Sequence, residues 1–117
     1  QATRLAMRKS IQKLKPKTYD PKSIVLVDGR SKINKLALEQ IAIVKGDRKI
    51  FAIACASVIA KVFRDKLMNK YAKKYPNYGF DKHKGYGTKY HQDRLTAFGP
   101  CEIHRRSFTP VNKLIKI

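Results

Sequence analysis

The sequence predicts an α/β domain in which short parallel strands are covered by helices. Three observations carry that expectation. Residues 24–27 (IVLV) and 41–44 (IAIV) are apolar at every position, the pattern of a strand buried on both faces. The link between them, DGRSKINKLALEQ at residues 28–40, is long enough for the crossover that parallel neighbours need. Finally, Phe51, Cys55, Val58, Ile59, Val62, Leu67 and Tyr71 recur at three- and four-residue steps, giving one long helix over 51–74 with a wide apolar stripe.

Taken in order, residues 1–14 read as a helix with Leu5, Met7, Ile11 and Leu14 as its apolar positions. It has no N-cap and no initiating Met, so the chain is expected to begin inside a helix. Pro16 and the YDP segment at 19–21 then close it and start a turn. Leu36 and Leu38 are the expected anchors of the link between the strands. The first half of the long helix is nearly uncharged and should lie buried against the sheet, and Pro76 should stop the helix. Residues 77–91, NYGFDKHKGYGTKYH, form a glycine-punctuated loop rich in Tyr, Lys and His. Thr88 is a suitable N-cap for a short helix through Phe98, which Gly99 and Pro100 end. The basic tail after them has a few apolar anchors.

At 117 residues the chain is expected to be a single domain. Its 43% hydrophobic content, grouped in blocks, suffices for a core. The dominant global fact is charge: 27 Lys and Arg against 8 Asp and Glu, a formal net charge of +19. Self-repulsion at that density costs stability, so the charge points to a polyanionic partner, nucleic acid ahead of an anionic membrane surface. The longest uncharged apolar stretch, residues 50–60, is about half of the roughly 20 residues a membrane-spanning helix needs. No secretory signal is visible, and Cys55 and Cys101 read as buried free thiols of a reducing cytoplasm. Zinc is disfavoured because Cys55, Cys101, His83, His91 and His104 include no close Cys pair.

Both apolar runs lead into a carboxylate, Asp28 directly and Asp47 through Lys45 and Gly46. Placed at the carboxyl ends of adjacent strands, the two would meet at the sheet edge where open α/β proteins collect ligands. Like charges held close call for a cation, and oxygen-only ligands suit Mg²⁺ or Mn²⁺. Surrounded by basic side chains, such ions would meet a phosphodiester and could activate water against it. The alternative is that each Asp only caps a turn beside its Gly. Tyr86, flanked by Gly85 and Gly87, is either an exposed ring that stacks on a base or sugar or a tyrosine packed back on the core. Lys45, His83, Lys84, Arg105 and Arg106 are the basic side chains expected at nucleic acid, in a solvated surface that also carries Lys73, Lys74 and Lys82. Neither a dinucleotide fingerprint nor a phosphate-binding G-x-x-x-x-G-K-[ST] loop occurs. Ser57 has no base placed to activate it, and Asp65 beside Arg64 reads as a structural ion pair.

Six strings in register resemble ribonuclease HII, the type 2 ribonuclease H: QATRLAM at 1–7, VLVDG at 25–29, IVKGD at 43–47, ASVIAKVFRD at 56–65, YPNYGFDKHKGYGT at 75–88 and GPCEIHRRSFTPV at 99–111. The resemblance implies a ribonuclease H-like fold and cleavage of the RNA strand of RNA–DNA hybrids, and beside ribonucleotides embedded in duplex DNA, with two ions of Mg²⁺ or Mn²⁺. It assigns metal binding and catalysis to Asp28 and Asp47, and to Tyr86 the recognition of the 2′-OH side of an RNA–DNA junction, a contact that distinguishes RNA from DNA. The family's other two carboxylates lie in a D-E-x-G-R-G segment that has no counterpart here. The chain is therefore expected to be an N-terminally truncated catalytic domain, with a sheet missing its first strands and impaired activity. It would be completed by a missing N-terminal segment or a separately encoded half. Gly87 stands where the family usually has proline. A non-catalytic basic nucleic-acid-binding protein, of ribosomal type or a decayed nuclease fragment, is the alternative that composition alone favours.

Overall fold

A computed structural model describes residues 2–14, 20 and 22–115. The elements in order are α1 (Ala2–Gln12), β1 (Ile24–Asp28), β2 (Glu39–Ile43), α2 (Gly46–Lys49), α3 (Phe51–Lys74), a 3₁₀ turn (Pro76–Tyr78), α4 (Phe80–His83), α5 (Lys89–Phe98) and α6 (Val111–Ile115). Both expected strands, the long helix and the short helix after Thr88 are present. The expected stop at Pro16 lies outside the described residues. So does most of the turn at 19–21; within it, Asp20 accepts a hydrogen bond from the Lys22 N–H at 2.8 Å. Two compact units divide the chain, Gln1–Ile59 and Ala60–Ile117.

In the first unit β1 and β2 pair in parallel, with Ile24 opposite Glu39 and Asp28 opposite Ile43. Strand β2 begins two residues before the apolar run because Gln40 belongs inside. Its amide is buried, accepting from the Ile33 N–H at 2.7 Å and donating to the Ile33 carbonyl at 3.1 Å. It also reaches the Leu36 carbonyl. These bonds fold the 29–38 link over one face of the sheet, where Val27, Ile33 and Leu38 are buried. Strand β2 ends at Ile43, before the Val44–Lys45 turn, in which Lys45 takes a left-handed conformation with φ 56°.

Two expectations are corrected in this unit. The strands are not covered on both faces: Ile24, Leu26 and Ile41, which share the face opposite Val27, are exposed. Nor is the first half of α3 buried. Ile53 is the helix's one buried residue, and Phe51 is 85% exposed. Two strands about 4.8 Å apart make a ribbon too narrow to cover a helix several turns long. Leu5 and Met7 of α1 are likewise exposed, as is Leu14 just beyond it.

The second unit is built around aromatic rings. Phe80, 2% exposed, stacks on Tyr78 with centroids 5.3 Å apart. His83, His91 and His104 ring it at 5.6 to 5.7 Å. Gly79 has a φ of 69°, and a Cβ there would run into the Tyr90 ring, so both backbone and space require glycine. Helix α3 stops before Pro76, which opens the 3₁₀ turn. Thr88 caps α5 as expected, its hydroxyl accepting from the His91 N–H at 3.3 Å. Leu95 and Val111 complete the buried set.

Candidate functional site

The carboxylate constellation lies in the first unit, at the carboxyl end of the two strands. Asp28 closes β1, and its Oδ1 accepts from the Gly46 N–H at 2.8 Å. One step along the ladder, the Gly29 N–H bonds the Ile43 carbonyl at 2.9 Å. Together these bonds draw the turn carrying Asp47, in the first turn of α2, against the end of β1. Both aspartates are exposed.

Gly46 is not the residue that turns the chain. The turn itself is made by Lys45, whereas Gly46 is helical and buried. What Gly46 allows is close approach: a Cβ there would sit 2.7 Å from Ile53 Cδ1 and 3.4 Å from Asp28 Oδ1.

Among the described residues, the Asp28 carboxylate makes one hydrogen bond and the Asp47 carboxylate none. Their spare oxygen lone pairs fit a hard divalent ion. Two carboxylates leave most of about six coordination positions to water or to other groups. No group of three or more His, Cys, Asp or Glu side chains forms a metal-binding cluster among the described residues. Lys45 is exposed at the turn that leads into Asp47.

The second constellation belongs to the second unit. Tyr86 is 59% exposed, so its ring does not pack back on the core. Its hydroxyl accepts from Arg64 Nη1 at 2.7 Å, and the guanidinium carbon lies 4.7 Å from the ring centroid. Arg64 is held from behind by the Asp65 carboxylate at 3.1 Å, which also pairs with Lys61. The Tyr86 hydroxyl and then Asp65 hold the Arg64 guanidinium more firmly protonated than usual. Burial alone would raise the Asp65 carboxyl, but hydrogen bonds from Arg64 and Lys61 bring it below its ordinary range. Asp65 thus makes the ion pair expected of it.

His83 requires correction as a residue facing nucleic acid. It is 6% exposed, and both ring nitrogens are engaged. Nε2 donates to the Tyr78 carbonyl at 2.8 Å, and Nδ1 accepts from the Gly85 N–H at 3.1 Å. Its work is to hold the loop that presents Tyr86. Lys84 is half-buried and reaches Asn69. Arg105 and Arg106 are exposed, with the Arg105 guanidinium over the Phe108 ring at 4.7 Å.

A cleft of about 650 Å³ opens beside Tyr86, with Arg64, Arg105, Phe108, His91 and His104 in its wall and no Asp or Glu lining it. Sequence alone does not point to Arg64 and His91 as partners of Tyr86, or to His104 as the partner of His91. Their contacts join residues with no periodic relation, so no spacing announces them.

A family model described as ribonuclease HII matches residues 1–111. Curated relatives named ribonuclease HII include one from Endomicrobium trichonymphae, 50% identical over 115 residues, covering 98% of this chain and 53% of the relative. Another from Caldicellulosiruptor bescii is 56% identical over 107 residues, 92% of this chain and 50% of the relative. A third from Chlamydia caviae is 47% identical over 115 residues, 98% and 51% of the two chains. The chain spans about half the length of the curated relatives it matches.

Proposed function

The chain belongs to the ribonuclease HII family, and from that premise we propose that it carries part of a metal-dependent endoribonuclease site. The substrate is the RNA strand of an RNA–DNA hybrid, or duplex DNA holding a ribonucleotide, met in the cytoplasm by a single catalytic domain. The observation that supports this best is the 2.8 Å bond from the Gly46 N–H to the Asp28 carboxylate. It fixes one carboxylate at a strand end and sets the turn bearing the second beside it, a use of Asp28 that an isolated turn cap would not need.

Asp28 and Asp47 hold Mg²⁺ or Mn²⁺ in this reading. Bound there, such ions supply an activated water and stabilise the leaving oxygen of the phosphodiester. Asp28 keeps its orientation through the Gly46 bond, while Lys45 draws the phosphate in. Tyr86 offers an exposed ring for stacking and a phenol able to hydrogen-bond a ribose 2′-OH. Lys84, Arg105 and Arg106 neutralise backbone phosphates.

A second reading, a basic nucleic-acid-binding protein without catalysis, is favoured by one observation. The formal net charge of +19 suits phosphate binding whether or not a cut follows.

The discriminating experiment is incubation of a DNA duplex containing one ribonucleotide with the chain and Mg²⁺ or Mn²⁺, beside its Asp28→Asn variant. Activity of the chain alone should be low, and with the part of the relatives' length that it does not span supplied, a cut next to the ribonucleotide that disappears in the variant is expected. Tight binding without any cut, equal in both proteins and unchanged when the part of the relatives' length that this chain does not span is supplied, would establish the second reading instead.

A further inference from the structure

Three imidazoles of the second unit stand in one connected array, and their partners dictate where each proton sits. The Tyr86 carbonyl can only accept, so His91 Nδ1, 2.9 Å away, must carry its hydrogen. In a neutral ring that leaves His91 Nε2 as an acceptor. Nε2 of His104 lies 3.2 Å from it and must therefore donate. His104 Nδ1 is then an acceptor, and it receives the Cys101 N–H at 3.0 Å, with the Cys101 thiol 3.1 Å away. Every member is satisfied only when both rings are neutral.

We propose that His91 and His104 are positioning residues that act as a proton-sensitive latch on the loop presenting Tyr86. A proton added to His91 Nε2 would face the N–H of His104. One added to His104 Nδ1 would face the N–H of Cys101. Either event turns a hydrogen bond into a contact between two donors and drives the pair apart.

The consequence reaches Tyr86 because its carbonyl is held jointly by His91 and by the Thr88 N–H at 2.9 Å. The side chains facing the pair offer an added charge no relief. His83 stacks on His91 at 4.1 Å, and the Tyr78 and Phe80 rings lie against His104. Arg64, Lys84 and Arg105 line the same cleft, without a carboxylate among its walls. Burial above all lowers the pKa of both His91 and His104, and neighbouring imidazoles add to it. Together they outweigh the backbone hydrogen bonds between His91 and Tyr86 and between His104 and Cys101, which favour the charged rings.

The inference that the latch controls ribonucleotide preference rests on the junction-reading role proposed for Tyr86, whereas the latch itself does not. The test therefore has two readouts. Long-range proton–nitrogen spectra of the chain at pH 7.5 should show hydrogen on Nδ1 of His91 and on Nε2 of His104. On acidification the Tyr86 ring and amide signals should move together with the imidazole signals. In His104→Leu the midpoint of that movement should rise toward the free histidine value, and His104→Gln serves if the leucine variant does not fold. The opposite tautomer at His91, or a Tyr86 signal indifferent to both pH and His104, would overturn the latch.

The second readout is affinity for a duplex with one ribonucleotide relative to all-DNA duplex, at pH 7.5 and 5.5. A ratio cancels the general gain in phosphate attraction at low pH. It should fall about fivefold, as for loss of one ordinary hydrogen bond. A coupled spectrum with an unchanged ratio would uphold the latch and remove the junction-reading role from Tyr86.

Discussion

Replacing Gly46 by alanine tests whether the carboxylate end of the sheet depends on close approach at that residue. Alanine brings two opposing effects. Gly46 is helical, so the methyl should favour the folded state by up to about 1 kcal/mol through propensity. Against this, the new Cβ would lie 2.7 Å from Ile53 Cδ1, where carbon atoms pack best at about 3.5–4.0 Å. Ile53 is buried, and forcing such a side chain aside costs about 1–3 kcal/mol. The net expectation for Gly46→Ala is a loss of about 1 kcal/mol.

Ile53→Val removes the offending methyl and alone should cost about 0.5–1.5 kcal/mol. In that background Gly46→Ala should become neutral or stabilising, a coupling of about 1–2 kcal/mol, within the range known for residues in contact. Urea unfolding of the four proteins, followed by circular dichroism, measures the cycle. Equal effects of Gly46→Ala in both backgrounds would refute the packing argument. The 3.4 Å separation from Asp28 Oδ1 is ordinary contact, so Mn²⁺ affinity in the double variant should match that of the parent.

Asp28→Asn and Asp47→Asn should each remove metal-dependent cleavage, by at least about 100-fold, since bound metal supplies several kcal/mol of transition-state stabilisation. Duplex binding at low salt should remain, and single-turnover cleavage beside gel-shift titration checks both. Gly87→Pro should raise stability by about 0.4–1 kcal/mol through the unfolded chain, read as a higher urea midpoint. Its φ is not positive, and the nearest atom a Cβ would meet is Gln92 Nε2 at 3.9 Å. Stability should also fall on acidification. His91 and His104 have folded-state pKa values below their ordinary ones, so the unfolded chain binds protons first. Their contribution is complete above the ordinary histidine value of about 6.5 and is lost as pH drops through the lowered folded values. Urea midpoints at pH 7.5 and 5.0 should show the decline, and the His91→Phe, His104→Leu double variant should flatten it.

What was legible in the sequence had a local cause. Apolar runs announced β1 and β2, three- and four-residue spacing announced α3, and Thr88 capped α5 because its hydroxyl needs only a partner three residues on. Contacts across the chain left no such mark. Gln40 looks like a loop residue until Ile33 and Leu36 are folded beside it. His83 looks like a ligand in a basic loop until the Tyr78 carbonyl and the Gly85 N–H occupy its ring. The aspartates could be named from strand ends, but the Gly46 bond that orients Asp28 joins residues on different elements. Covered strands and a buried first half of α3 were expected from apolarity alone. Apolarity states that a surface seeks cover, not that the described residues supply it.

That uncovered surface sets how the molecule behaves in bulk solution. Ile24, Leu26 and Ile41 open a sheet face to water, and each of the two strands has an outer edge unpaired among the described residues. Such edges and patches invite association between copies. A net charge of +19 opposes it only over the reach of electrostatic repulsion, about 30 Å at 0.01 M salt and about 8 Å at 0.15 M. Colloidal stability should therefore fall as salt rises, the reverse of a protein kept soluble by a closed surface. Light scattering across a salt series would show particle size growing, and a size independent of salt would mean that the open face is not sticky. Short duplex DNA has the opposite problem, charge without apolar surface. Its addition should discharge the protein and bring the open faces together, so that stoichiometric mixtures cloud before either component does alone.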